Sequence, residues 1–292
     1  MDNSSSIYIS TTFAKDNSKL SDVISQCSNG GINNVELGSN HCYEKNYNYL
    51  HQLPLNYLIH NYFPIPKDSF VLNIASFNSV IRERSIKHIY KAIDFCDSIG
   101  GMLYTFHPGF LTDPEGSNIT QNNYDFIWND NELDISNYDK ALNLMYSSLD
   151  KIVEYATKKS IKIAIETEGS ITKKDHLLMQ RPEEYLQFIN RYKNSDISIN
   201  LNIGHLNLAS RAFNFSPFEF VDLIKNYIVA MELSHNDGLQ DQHLPLKKDG
   251  WYWDIILDSS FKNTFKILEF RNTSINDILS NIKIYKEKLD AV

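Results

Sequence analysis

Apolar and polar positions follow two alternating rhythms along this chain. Short runs rich in β-branched and aromatic residues recur at 7–13 (IYISTTF), 34–39 (NVELGS), 56–63 (NYLIHNYF), 102–109 (MLYTFHPG), 161–169 (IKIAIETEG), 197–205 (ISINLNIGH), 228–235 (IVAMELSH) and 265–272 (FKILEFRN), and each reads as a strand. Between most of them the period lengthens to that of a helix. Ile86, Ile89, Ile93 and Cys96 form one such stripe before Gly100-Gly101; Leu142, Met145, Leu149, Ile152 and Val153 form another. Leu186, Ile189 and Tyr192 make a third, and Ile275, Ile278, Leu279 and Ile282 close the chain. Strands apolar on both faces, each followed by a helix or room for one, are what a parallel barrel requires. The pattern predicts a (β/α)8 TIM barrel, read as a single domain over residues 1–292. Its second unit, around Tyr43 to Leu53, is weak, and residues 110–137 form a long polar and aromatic connection of the kind that makes a lid, a substrate-facing wall or a plain surface excursion.

Composition narrows the partners. Hydrophobic residues at 42% supply a core, and 36 acidic against 28 basic residues leave a net charge of −8, which repels phosphate backbones. Arg82 and Arg84 are the one close basic pair in the early loops and read more simply as a helix start, so nucleic acid is an unlikely partner by this reading. Three dispersed cysteines, Cys27, Cys42 and Cys96, form no CxxC pair and suit a reducing compartment. With no basic leader and no apolar span in the sequence, the expectation is a cytoplasmic protein without a membrane partner.

The polar residues fall at the predicted strand ends. In a barrel the catalytic groups gather at the C-terminal mouth, where loops open and helix N-termini point inward. His60 lies late in the third predicted strand, His107 ends the fourth, Glu166 the fifth, Asn202 and His205 the sixth, His235 the seventh and Glu269 the eighth. The loop SHNDGLQDQHLPL at 234–246 then brings Asp241 and His243 over the same mouth. One such residue is more often a hydrogen-bonded core or capping group than a ligand. Burying so many imidazoles and carboxylates together is costly unless a cation or a proton network compensates, and a cation is the simpler compensation. Imidazole and carboxylate without thiolate suit zinc or manganese first, with cobalt, iron or magnesium as alternatives. Asp237 and Arg271 read equally as loop-capping groups or as substrate binders.

The segments IAIETEG, LNIGHLNLAS, LSHNDGLQDQHLPLKKDG followed by WDIIL, and ILEF, with LNIASFNSVIRERSIKHIYKAIDF and FHPG upstream, resemble the xylose isomerase-like barrels. That superfamily holds sugar phosphate isomerases and epimerases together with the family 2 AP endonucleases of the endonuclease IV type. The isomerase branch resembles this chain in four metal positions, Glu166, Asn202, His235 and Glu269, and implies that Glu166 and Glu269 also exchange the substrate's carbon-bound proton. The endonuclease branch adds His60, His107, His205, Asp241 and His243 as ligands of a three-zinc cluster. Both branches usually carry aspartate where this chain has Asn202, whose neutral amide weakens that position. A mononuclear or dinuclear site is therefore expected.

Two functions follow from the resemblance. The first is a metal-dependent isomerase or epimerase of a small sugar, sugar phosphate or polyol, with His107, His205 and Arg271 contacting substrate. The alternative is a zinc phosphodiesterase of the endonuclease IV type. A barrel that binds sugar without chemistry is a third. Barrels of this kind often pair, so a homodimer is among the expectations.

Overall fold

The computed structural model describes residues 7–120, 123–128, 133–170 and 176–291. Its strands, in chain order, are β1 (Ile7–Ser10), β2 (Asn34–Leu37), β3 (Asn56–His60), β4 (Tyr104–Phe106), β5 (Gly116–Thr120), β6 (Asn123–Ile127), β7 (Ile163–Glu166), β8 (Ile197–Asn202), β9 (Ile228–Leu233) and β10 (Phe265–Leu268). Eight of these close a parallel barrel in the order β1-β10-β9-β8-β7-β4-β3-β2, and all eight lie within the runs expected from the sequence. The remaining two, β5 and β6, pair as an antiparallel hairpin inside the 110–137 connection. Residues 121–122 and 129–132 of that connection lie outside the described residues.

The helices are α1 (Leu20–Asn29), α2 (Ser79–Ser98), α3 (Tyr138–Lys159), α4 (Pro182–Tyr192), α5 (Ile203–Phe213), α6 (Pro217–Ile224), α7 (Trp253–Ile256) and α8 (Ile275–Leu289). Their starts follow local chemistry. Asn78 caps α2 by accepting from Val80 N–H, Ser274 caps α8 in a reciprocal pair with Asp277, and α4 begins at Pro182 with Glu184 reaching back to the Arg181 N–H. The weak second unit is a 3-10 turn, Asn48–Gln52. Most strands are shorter than the runs that mark them, and one boundary bears on the site. The sixth strand stops at Asn202, and His205 sits in the first turn of α5; Asn202 caps that helix through its side-chain oxygen, which accepts from His205 N–H at 3.1 Å. Helices α1, α5, α6 and α7 were not signalled by the apolar period; in α5 the reason is that most of the helix is buried all round.

Residues that point into the barrel alternate with those that face the helices. The lower inward layer is apolar: Tyr8, Leu58, Leu103, Ala164, Ala230 and Ile267 pack into one cluster. Two residues further along each strand, at the same parity, come Ser10, His60, Thr105, Glu166, Glu232 and Glu269, and Glu36 stands level with Ser10 and Leu58. The floor is thus oily and the next tier polar. Side chains between sheet and helices make the main core, from Ile9 and Leu37 round to Leu268 and Ile278. Among the described residues no helix is long and apolar enough to cross a membrane.

Candidate metal centre

The polar tier is buried and crowded. Glu36, Glu166, Glu168, Glu232 and Glu269 are buried with His60, His205 and His243, while His107 and Asp241 are largely covered. Two groups of three draw ligand atoms within 4.8 Å of one another in the pattern of two imidazoles and one carboxylate: His60, His107 and Glu166, and His205, Asp241 and His243. They meet where His205 Nδ1 lies 3.1 Å from Glu166 Oε1.

The first set could hold a cation. Nε2 of His60 and Nε2 of His107 stand 3.7 and 3.6 Å from Glu166 Oε2, too far for hydrogen bonds, and that buried oxygen has no hydrogen-bond partner. Ligands held about 2.1 Å from one tetrahedral ion are separated by about 3.4 Å, so the spacing is that of groups around a shared ion. Each ring is oriented through its other nitrogen. His60 Nδ1 meets Thr105 Oγ1 at 2.9 Å and Glu232 Oε1 at 3.3 Å, and His107 Nδ1 meets Glu168 Oε1 at 2.6 Å. Such partners fix ring and tautomer and raise ligand basicity.

In the second set Asp241 Oδ2 lies 2.9 Å from His243 Nε2 and 3.6 Å from His205 Nε2. His205 Nδ1 is anchored on the Thr167 carbonyl at 2.8 Å, and His243 Nδ1 faces Glu269 Oε2 at 3.2 Å. Gly169 lets α5 come this close, since a Cβ there would fall 2.0 Å from the His205 carbonyl oxygen.

Between the sets stands Asn202. Its oxygen is committed to the α5 cap, which turns the amide nitrogen inward to donate toward Glu166 Oε1 at 2.9 Å, Glu232 Oε2 at 3.0 Å and Glu269 Oε2 at 3.2 Å. An amide therefore occupies the point where these carboxylates converge.

The charges without a bound ion are strongly displaced. Burial opposes ionisation of Glu166, yet the cationic His107 and His205 outweigh it and hold the carboxylate well below its ordinary range. Burial likewise works against a charge on His107 and on His243, but adjacent carboxylates, Glu166 and Glu168 for the first and Asp241 and Glu269 for the second, raise each to about 9. His60 goes the other way, lowered to about 4 by burial. Glu36 and Glu232 are pushed well up, first by burial and then by the neighbouring glutamates.

Of the residues anticipated from the sequence, Glu166, Asn202, Glu269, His60, His107, His205, Asp241 and His243 come together here. The charge of Arg271 acts on His60, and its backbone N–H donates to the His243 carbonyl at 3.1 Å, which places it at the mouth. His235 is not brought into the cluster. It lies beyond the end of β9, pairs by backbone with Leu244, and its half-buried ring packs against Tyr252 at 6.0 Å between centroids. Glu232 takes the corresponding inward place. The signal for Glu232 and Glu36 was strand parity: both fall in step with Ala230 and with Asn34, whereas His235 is three residues past Glu232 and out of step.

A closed parallel barrel with buried imidazoles and carboxylates at the C-terminal mouth defines a class of metal-site barrels. The chain belongs to the xylose isomerase-like TIM barrel family, whose model matches residues 42–291. It is 26% identical over 260 residues to the uncharacterized protein MJ1311 of Methanocaldococcus jannaschii, covering 87% of this chain and 78% of that one. A stretch of 50 residues, 16% of this chain and 18% of the other, is 42% identical to the probable endonuclease 4 of Aquifex aeolicus. Among solved structures, a D-tagatose 3-epimerase-like protein superposes with a TM-score of 0.75 at 22% identity, over 98% of both chains. Members of this family and its structural neighbours are enzymes, and the side chains here fit the divalent metal that the family carries.

Proposed function

We propose that the chain is a metal-dependent hydrolase of phosphate esters on small carbohydrates, with divalent ions seated in the two sets of two imidazoles and one carboxylate. The observation that carries this reading is the pair of sets itself. A sugar isomerase needs one ion between two bases, and a second complete ligand group, buried at such cost, would then have no task. An ion bound in such a set polarises a phosphoryl oxygen and makes a neighbouring water more acidic. The chain's own part is to orient His60, His107 and His205 through Thr105, Glu168 and the Thr167 carbonyl, and to keep the tier dry. The local likeness to a probable endonuclease 4 supports phosphodiester chemistry, while the charge of −8 favours a small ester over duplex DNA.

A second reading is favoured by one observation. Glu166 and Glu269 both reach the Asn202 amide nitrogen, so two carboxylates face one small volume, as epimerisation by proton transfer requires. One pair of assays separates the two. Protein loaded with Mn2+ or Zn2+ is expected to bind two ions and to cleave p-nitrophenyl phosphate or its bis-ester, with a roughly hundredfold loss in His107→Ala and in His243→Ala. Absence of cleavage in the two-ion protein, together with deuterium uptake from D2O into a ketose or aldose, would replace the first reading with the second.

A further inference from the structure

One buried acid is used by neither set. Glu36 is fully buried at the top of β2, level with Leu58 of the apolar floor, and neither of its carboxylate oxygens makes a well-formed hydrogen bond, the hydroxyl of Ser10 on β1 being the donor beside it. It is not isolated. A Glu36 oxygen, a ring nitrogen of His60 and a Glu232 oxygen all lie within 4.8 Å of one another. Glu232 itself is well supplied, accepting from Asn200 Nδ2 at 2.7 Å and from Asn202 Nδ2 at 3.0 Å.

An ionised carboxylate with no well-formed hydrogen bond in so dry a place is very unfavourable, and either a proton or a cation must relieve it. A proton removes the charge but leaves an O–H donor, and the hydroxyl beside Glu36, Ser10 Oγ, already accepts from Thr12 Oγ1 at 3.0 Å. A cation between Glu36 and Glu232 satisfies both at once. We infer that Glu36, Glu232 and His60 form a deep seat for a divalent transition ion, Mn2+ or Zn2+, beneath the two sets described above. Two carboxylates and one imidazole suit such an ion, and the absence of thiolate and the enclosure favour it over soft or heavily hydrated ones.

The seat is linked to the first set through one ring. His60 turns Nε2 toward Glu166 and Nδ1 toward Glu232, and a neutral imidazole has a single lone pair to give. Hence His60 serves the deep ion or the upper one, not both together, whereas the set of His205, Asp241 and His243 fills independently.

The test uses crystals of the whole chain soaked in MnCl2, and in ZnCl2, with anomalous difference maps and metal counting on the same protein. The expected result is a peak about 2.2 Å from a Glu36 oxygen, absent in Glu36→Gln while the peak at His205, Asp241 and His243 remains. The count should fall by up to one ion per chain, and the upper His60 position should gain occupancy. Peaks at the upper sets with only a water near Glu36 would overturn this inference and leave the proposed function standing; no peak anywhere would overturn both. Should Glu36→Gln fail to fold, the wild-type map alone decides.

Discussion

Replacing Asn202 by aspartate reverses the sign of the group at the centre of the site. In the folded chain the amide donates toward three carboxylate oxygens at 2.9, 3.0 and 3.2 Å. A hydrogen bond to a charged group is worth about 1.5–3 kcal/mol, and the amide has two protons to give, so the ion-free variant should lose about 3–6 kcal/mol. If the new acid stays protonated it keeps one donor, and the loss sits at the lower end. At about 2 °C per kcal/mol for a chain of this size, Tm in chelator should drop by roughly 6–12 °C. Metal should act in the opposite direction. A charged ligand in place of a neutral one is worth about 1–3 kcal/mol to a bound divalent ion, a ten- to hundredfold gain in affinity. Ions should therefore raise the Tm of Asn202→Asp by more than that of the wild type. Thermal unfolding with and without MnCl2, combined with titration calorimetry, measures both halves. An ion-free Tm unchanged within 2 °C, or metal affinity equal to wild type, would show that residue 202 neither bridges the carboxylates nor reaches the ion.

Four further outcomes are expected. Glu168→Gln should weaken metal binding by about ten- to a hundredfold without loss of secondary structure, because His107 loses the carboxylate on its Nδ1; calorimetry checks it. His235→Ala should leave the metal count unchanged by elemental analysis, since its ring packs on Tyr252. Gly169→Ala should push the start of α5 off β7, lowering both Tm and the affinity of the His205 set, as read by unfolding and by metal titration. His88 is buried and lowered to about 4 from 6.5 by burial, so the unfolded chain takes up its proton first. Its contribution is complete above pH 6.5, falls as pH drops toward 4 and is flat below; urea unfolding of wild type minus His88→Gln should reveal about 3 kcal/mol across that window, and parallel curves would refute it.

The barrel was legible because its evidence is repeated: eight short runs and the helical stripes between them agree with one another. Boundaries were less so. The run ISINLNIGH stays apolar through a change from strand to helix, and only the cap geometry of Asn202 marks the turn. In the site, residue type identified most members but not their direction. His235 carries the chemistry of a ligand and sits at the right end of the barrel, yet its parity turns it aside. Glu232 and Glu36 passed as ordinary members of apolar runs, although Glu232 is two residues past Ala230 of the floor and Glu36 alternates with the core-facing Val35 and Leu37. The hairpin of β5 and β6 lies in a polar stretch with no apolar run to mark its strands.

The two ligand sets also divide the chain in order of synthesis. His60, His107 and Glu166 come from its first part, while His205, Asp241 and His243 come from a short later stretch, joined at the contact between Glu166 and His205. As the polypeptide leaves the ribosome, the earlier set has all its members before the later one begins. The two halves of the site therefore have separate histories, since β3, β4 and β7 are all made before β8 to β10.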